Sequence, residues 1–173
     1  MIFGVGTDIV ELSRIQATYE RFGDHFVRRL LMDEELELFK KTKWPVRFLA
    51  MRFAGKEATV KAMGTGFAHG VWLRDVGITN NDWGRPLIIW SERGRLVCER
   101  LGIGVGHVSL TDDAGLVVAF AVVETAARTG DDGQTQRLIK TIPRRGFRFE
   151  GTVSERNSDF VPKKAEKPSI AVL

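Results

Sequence analysis

The sequence has a single cysteine, Cys98, and no run of about 18 consecutive apolar residues. One cysteine forms no intrachain disulfide and builds no cysteine-ligated zinc site, which excludes a disulfide-stapled secreted domain. Without a long apolar run there is no candidate membrane span, and Asp8 and Glu11 interrupt the stretch that a signal peptide would need. We therefore expect a cytoplasmic protein without membrane segments.

The main part of the chain also lacks an excess of either charge. Residues 1–126 carry 16 Lys+Arg and 16 Asp+Glu, whereas residues 127–173 carry 10 and 6, so the net charge of +4 belongs to the tail. Nucleic-acid binding draws on basic surface, and specific binding of this kind is not expected of a neutral domain. We predict a domain over 1–126 and a basic tail over 127–173, where three of the five prolines lie.

Hydrophobic periodicity predicts an α+β fold in which an antiparallel sheet packs on a long central helix. The segment from Pro45 to Gly64 is rich in helix formers and apolar nearly all round, so the helix should be largely enclosed. The predicted order is strand 2–10, a helix, a short helix, the long helix, strands 71–79 and 87–90, a helix after Ser91, and strands 107–111 and 116–124.

Three charged residues suggest a metal site. Asp8 lies near the end of a strand, Glu57 lies in the enclosed helix, and Lys61 lies one helical turn beyond Glu57. Two hard carboxylates without a cysteine ligand suit Mg²⁺, which keeps several waters and binds substrate phosphates. The alternative is a turn residue at Asp8 and an exposed i,i+4 pair between Glu57 and Lys61.

Other polar residues are candidates for ligand contact. Arg52 and Lys56 lie within the apolar helix, which is followed by Gly64-Thr65-Gly66, a pattern compatible with phosphate binding; alternatively, the long cations extend to solvent. His107 and Ser109 alternate along a strand and should share a face. We favour a ligand-lining face there over nucleophilic catalysis, because no orienting carboxylate is evident.

Four motifs follow one another in residues 1–124: GTDIVE, FLAMRFAGKEATVKAMGTG, GRP and HVSLTD. In order and spacing they resemble the holo-[acyl-carrier-protein] synthase family of 4′-phosphopantetheinyl transferases. The resemblance implies transfer of the phosphopantetheine arm from coenzyme A to a serine of an apo acyl carrier protein, with release of adenosine 3′,5′-bisphosphate. Family members often have GKP where this chain has GRP, and a histidine soon after the HVS serine where this chain has Thr111-Asp112.

The resemblance also implies roles for particular residues. Asp8 and Glu57 match the Mg²⁺ ligands, and Lys61 matches a lysine near the transferred phosphate. Residues that match the coenzyme A site are Arg52, Lys56, Gly64, Thr65, Gly66, Gly84, Arg85, Pro86, His107 and Ser109. Arg14, Arg21 and Arg28, spaced by seven on one helical stripe, match arginines that dock the carrier. Family members are typically homotrimers with active sites at subunit interfaces.

The tail resembles a different family. Residues 130–155 are similar to the closing hairpin of winged-helix DNA-binding domains, but the helix that enters the major groove is absent. Residues 127–173 are therefore predicted to be a partial winged-helix remnant or disordered. Two alternatives to the transferase remain at this point: a DNA-binding protein acting through its tail, and a coenzyme A binder without turnover.

Overall fold

The computed structural model describes residues 1–126, 139–142 and 146–149. Met1–Arg128 and Thr129–Leu173 form two compact units. The first contains β1 (Ile2–Glu11), α1 (Leu12–Leu30), α2 (Asp33–Phe39), α3 (Pro45–Ala62), a 3-10 turn (Leu73–Asp75), β2 (Val76–Asn80), β3 (Pro86–Trp90), α4 (Glu92–Leu101), β4 (Ile103–Asp113) and β5 (Leu116–Thr125). This order is the predicted one, and the α+β class is confirmed.

The second unit contains β6 (Ile139–Ile142) and β7 (Gly146–Phe149), which pair antiparallel. Most of the winged-helix prediction for residues 127–173 lies outside the described residues, and it stays a prediction. In the part of the chain that the structure describes, no helix is long and apolar enough to cross a membrane.

Strand β5 is the centre of a three-stranded antiparallel sheet, with β1 on one side and β4 on the other. Alternate residues of β5, from Val117 to Val123, are fully buried, and their face packs on α3. The opposite face, which carries Phe120, is more open to solvent. Strands β2 and β3 form a separate two-stranded sheet.

Helix α3 is enclosed, as its composition predicted. Proline occupies its first position, and Ala54 and Ala58 are fully buried. Strand β1 approaches α3 so closely that a Cβ atom at Gly4 or Gly6 would overlap a carbonyl oxygen of the helix. This close approach fixes the distance between the end of β1 and the middle of α3, where the predicted metal ligands lie.

Helix α1 departs from the prediction of one continuous amphipathic helix. Gly23 has φ 48° and ψ −130°, a backbone conformation that interrupts the helix and favours glycine. The prediction of one stripe therefore holds for Arg14 and Arg21, which precede the kink, and fails for Arg28, because residues spaced by seven stay aligned only in an unbroken helix. Phe22, next to the kink, is exposed.

Candidate functional site

The structure brings Asp8, Glu57 and Lys61 together in one cleft of about 380 Å³, which we call the carboxylate cleft. Asp8 comes from β1 and faces α3, since its register partner Ala119 lies on the buried face of the sheet. Glu57 and Lys61 lie one turn apart on α3 and complete the opposite wall. Arg14, at the start of α1, lines the same cleft.

The charges in this cleft influence one another. Lys61 Nζ donates a hydrogen bond to Asp8 Oδ1 at 2.8 Å, and this bond raises the pKa of Lys61. Burial and the nearby negative charge of Asp8 raise the pKa of the Glu57 carboxyl, and Lys61 opposes that rise. The second oxygen of Asp8, Oδ2, is buried and has no hydrogen-bond partner among the described residues.

This donor set fits a magnesium ion better than a transition metal. A buried carboxylate oxygen without a partner is costly unless a cation or a donor occupies the space beside it. Within residues 1–126, no third His, Cys, Asp or Glu joins Asp8 and Glu57. Two carboxylates that leave most positions to water and substrate phosphates are the usual Mg²⁺ environment in proteins.

Arg52 lines a second cleft, the turn cleft, of about 460 Å³, together with Gly84 and Pro86. Asn80 holds this arrangement: its Oδ1 accepts a hydrogen bond from Arg52 Nη2 at 3.1 Å, and its Nδ2 donates to the carbonyl oxygen of Gly84 at 2.9 Å. Phe48 stacks under the Arg52 guanidinium, whose buried Nε has no hydrogen-bond partner among the described residues and lies 4.0 Å from Glu35 Oε1. Sequence reasoning missed Asn80 because an asparagine before a turn is usually explained by the turn itself.

Lys56 is placed in the interior and away from either cleft. Its Nζ donates to the carbonyl oxygens of Leu30 and Leu73, at 2.6 Å and 3.0 Å, and lies 2.7 Å from Glu35 Oε2. All three of its N–H groups therefore have partners inside the chain. Glu35, which sequence reasoning did not single out, is the carboxylate that makes this burial possible.

The Gly64-Thr65-Gly66 segment ends α3. Gly64 and Gly66 adopt positive φ values of 73° and 58°, and the N–H groups of Thr65 and Gly66 both donate to the carbonyl oxygen of Val60. This is a helix C-terminal cap, where the helix dipole is negative. The segment's glycines thus have a structural explanation that does not require a phosphate.

His107 and Ser109 lie on the outer face of the sheet, opposite the carboxylate cleft. Their register partners on β5 are Val122 and Phe120, whose neighbours on β1 also face away from α3. His107 Nδ1 lies 3.3 Å from Arg85 Nη2, and its Nε2 lies 3.1 Å from Glu124 Oε1. Within one chain, the residues of the carboxylate cleft and the pair His107 and Ser109 therefore form two groups on different faces of the sheet.

The kink at Gly23 separates Arg28 from the other two arginines of α1. Arg14 lines the carboxylate cleft, Arg21 stacks over Phe22 with 4.9 Å to the ring centroid, and Arg28 lines a third cleft beyond the kink.

Comparison with known proteins identifies the family. The sequence model of the 4′-phosphopantetheinyl transferase superfamily matches residues 4–121. A holo-[acyl-carrier-protein] synthase of Nitrosospira multiformis is 43% identical over 124 residues, which are 72% of this chain and 99% of that protein. The crystal structure of the Neisseria meningitidis holo-[acyl-carrier-protein] synthase has 41% identity and a TM-score of 0.70, covering 72% of this chain and all of that one.

A solved relative also carries a ligand. The Helicobacter pylori holo-[acyl-carrier-protein] synthase, crystallised in complex with coenzyme A, has 31% identity and a TM-score of 0.62, covering 69% of this chain and 99% of that one. Because the family model matches residues 4–121 and a relative covered over 99% of its length is 43% identical, the chain belongs to the 4′-phosphopantetheinyl transferase superfamily.

Proposed function

We propose that this protein transfers the 4′-phosphopantetheine group of coenzyme A to a serine of an apo acyl carrier protein and releases adenosine 3′,5′-bisphosphate. The observation that carries the proposal is the meeting of Asp8, Glu57 and Lys61 in one cleft, with a buried Asp8 oxygen left without a partner. The names of the relatives, and the coenzyme A bound to one of them, supply the substrate class.

Asp8 and Glu57 are the residues that would hold Mg²⁺. When bound, Mg²⁺ supplies a Lewis acid that polarises the phosphoryl oxygens and neutralises charge on the leaving group. Lys61 adds a cation to the same cleft, because its ammonium already lies against Asp8. Phosphoryl transfer asks for positioning and charge neutralisation more than for covalent chemistry, and this cleft offers both.

The reaction also requires a proton acceptor. The serine Oγ of the carrier attacks the phosphorus on the pantetheine side, the bond from that phosphorus to the bridging oxygen breaks, and the bridging oxygen leaves with the adenosine part. The serine proton goes to Glu57, directly or through a water. Burial and the negative charge of Asp8 raise the pKa of Glu57, which strengthens its carboxylate as a base.

Coenzyme A contact is assigned to the turn cleft and the residues beside it. Arg52, Gly84 and Pro86 line the turn cleft, and Arg85 continues to His107, next to Ser109 on the outer face of the sheet. Arginine suits this position because its planar fork binds phosphate oxygens in pairs. We leave Lys56 out of the set, since its donors are all used inside the chain.

The separation of the two groups supports a homotrimer with active sites between subunits. A head-to-tail interface, in which one surface binds a different surface of the next copy, closes into a ring and can join the turn cleft of one copy to the carboxylate cleft of another. The outer face of the sheet is a suitable contact surface, because Val5, Ile9 and Phe120 are 50%, 62% and 44% exposed there.

Carrier docking is assigned to Arg14 and Arg21, on the part of α1 that leads from the carboxylate cleft. An acidic carrier would be steered to these cations, and its association should slow as the salt concentration rises. A cytoplasmic location and a place in fatty acid synthesis follow from the proposed substrates and belong to the same proposal.

The decisive experiment measures the mass of an apo acyl carrier protein after incubation with this protein, coenzyme A and Mg²⁺. We expect the carrier to gain the mass of one phosphopantetheine group. Glu57→Gln should lower the turnover by roughly 10²- to 10⁴-fold, because it removes both a metal ligand and the proton acceptor. Glu99→Gln, on the exposed surface of α4, is the matched control. Turnover of Glu57→Gln near that of the control would contradict the assignment.

A further inference from the structure

A third cleft, the arginine cleft, is left unexplained by the proposed reaction. It has a volume of about 910 Å³ and lies beyond the kink of α1, between the end of that helix and residues 67–74. Four guanidinium groups line it: Arg28, Arg29, Arg74 and Arg93. Neither Asp8 nor Glu57 lines it.

The cations of this cleft are only partly compensated. Arg74 Nη2 lies 2.6 Å from Asp33 Oδ1, and Arg93 Nε lies 2.9 Å from Asp75 Oδ2. Arg28 and Arg29 form no ion pair within the described part of the chain. No carboxylate lines the cleft itself. Two guanidiniums without a counter-charge are matched by a ligand carrying about two negative charges, which is the charge of one phosphate monoester.

The remaining wall is apolar and aromatic. Phe67, Val71, Trp72 and Leu73 line it, and Trp72 is 62% exposed although it carries the largest apolar side chain. The Arg93 guanidinium stacks on the Trp72 ring with 5.4 Å to the centroid. An exposed indole beside arginines provides a surface on which a planar aromatic group can stack while its phosphate reaches the cations.

The loop that carries this wall is fixed in place. His69 has a positive φ of 53°, which is uncommon for a residue other than glycine, and its carbonyl oxygen accepts a hydrogen bond from Arg100 Nη2 of α4 at 3.2 Å. Trp72 N–H donates to Asp75 Oδ2 at 2.8 Å, which ties the loop to the buried carboxylate that also binds Arg93. Asp75 thus holds Trp72 and Arg93 together on this wall of the cleft.

We propose that the arginine cleft binds a small organic phosphate with a planar aromatic part, at a site separate from the carboxylate cleft. The volume lies within the range of small-molecule sites, and the combination of an apolar wall with a few convergent cations is their usual composition. The proposal does not depend on the transferase reaction, because the Arg28–Arg29 pair and Trp72 lie outside the residues assigned to the metal and to coenzyme A.

The test uses the full chain and adenosine 5′-monophosphate as the probe, with adenosine and inorganic phosphate as partial probes. Titration calorimetry should show saturable binding of the monophosphate, and each partial probe should bind at least tenfold more weakly. In NMR spectra, the indole N–H resonance of Trp72, which the Trp72→Phe variant identifies by its absence, should shift during the titration. Glu57→Gln should leave that shift unchanged, which separates this site from the carboxylate cleft.

Paired variants locate the binding. Arg28→Gln combined with Arg29→Gln should weaken the affinity for the monophosphate, measured from the Trp72 shift, at least tenfold. Arg95 is an exposed arginine of α4 that does not line the cleft, and Arg95→Gln should leave the affinity unchanged. An unshifted Trp72 signal, or an affinity that the double variant retains, would overturn the proposal. A Trp72 shift produced by an acidic carrier protein and not by the monophosphate would overturn it in favour of a protein-docking surface.

Discussion

Lys56 is the residue whose role differs most from its sequence-based interpretation. It was expected to contact coenzyme A, and the structure shows it fully buried against Glu35. Glu35 also accepts hydrogen bonds from the N–H groups of Met32 and Ile78, at 2.8 Å and 2.9 Å. The pair therefore joins α2, α3 and β2, and both of its charged groups are fully supplied with partners.

Removing one charge of this pair should be far worse than removing both. Lys56→Met leaves the buried Glu35 carboxylate with only the more distant Arg52, whose Nε lies 4.0 Å from Oε1, and we expect a loss of about 3–5 kcal/mol in the free energy of unfolding. Lys56→Met combined with Glu35→Gln should recover part of that loss, because no buried carboxylate is then left without its lysine, and Arg52 keeps its hydrogen bond to Asn80. Urea unfolding followed by circular dichroism measures all three proteins. Equal stability of the single variant and the unaltered chain would refute this account of Lys56.

At the scale of elements, the contact between β1 and α3 determines where the two carboxylates meet. A Cβ atom on Gly6 would lie 2.1 Å from the carbonyl oxygen of Ala58 and 2.5 Å from the backbone nitrogen of Ala62. Because both atoms belong to the backbone of α3, no side-chain rotation can remove the overlap. The small residues of the two elements are therefore a structural requirement of the site. They do not form a nucleotide-binding glycine motif.

Gly6→Ala should push β1 away from α3 and displace Asp8 from Glu57. Overpacking of this kind costs about 1–3 kcal/mol and occasionally more. We expect a lower melting temperature together with a fall in transfer activity that exceeds the loss of folded protein. Glu99→Ala, at an exposed residue of α4 away from this contact, is the control. A Gly6→Ala protein with full activity would show that the close approach is not needed for the site.

The elements themselves were predictable, because periodicity and turn residues are local properties. The order of strands and helices and the enclosure of α3 were predicted and are confirmed. The kink at Gly23 was missed, since a single glycine inside a helical pattern is usually tolerated. The partners of Lys56 and Arg52 were also missed, because Glu35 and Asn80 are distant in sequence and only the folded chain brings them near. The pairing of Asp8 with Glu57 was predicted as a metal site, and its role stays a proposal.

At the scale of the whole molecule, the separation of the two groups of site residues leads to a prediction about assembly. If coenzyme A binds between copies, a charge on the outer face of the sheet should both separate the copies and abolish transfer. Phe120→Glu places a charge there, and Leu96→Glu, at an equally exposed apolar residue of α4, is the control. Light scattering coupled to size-exclusion chromatography should show the mass of three chains for the control and of one chain for Phe120→Glu. A fully active single chain would contradict the interfacial site.

The tail should be dispensable for transfer, provided that the chain is cut at the right residue. Thr125 N–H donates to the carbonyl oxygen of Met1 at 2.8 Å, and Ala126 N–H donates to that of Gly102 at 2.7 Å. Backbone hydrogen bonds therefore fix the chain as far as Ala126. A chain of residues 1–126 keeps these bonds and should transfer phosphopantetheine at the rate of the full chain. A chain of residues 1–122 loses them, together with the buried Val123, and should unfold at a lower temperature. In parallel, a gel-shift assay with a DNA duplex, run on the full chain and on residues 1–126, tests whether the basic tail binds DNA. If the folded 1–126 protein were inactive in transfer, the tail would be part of the enzyme and its basic charge would need a catalytic explanation.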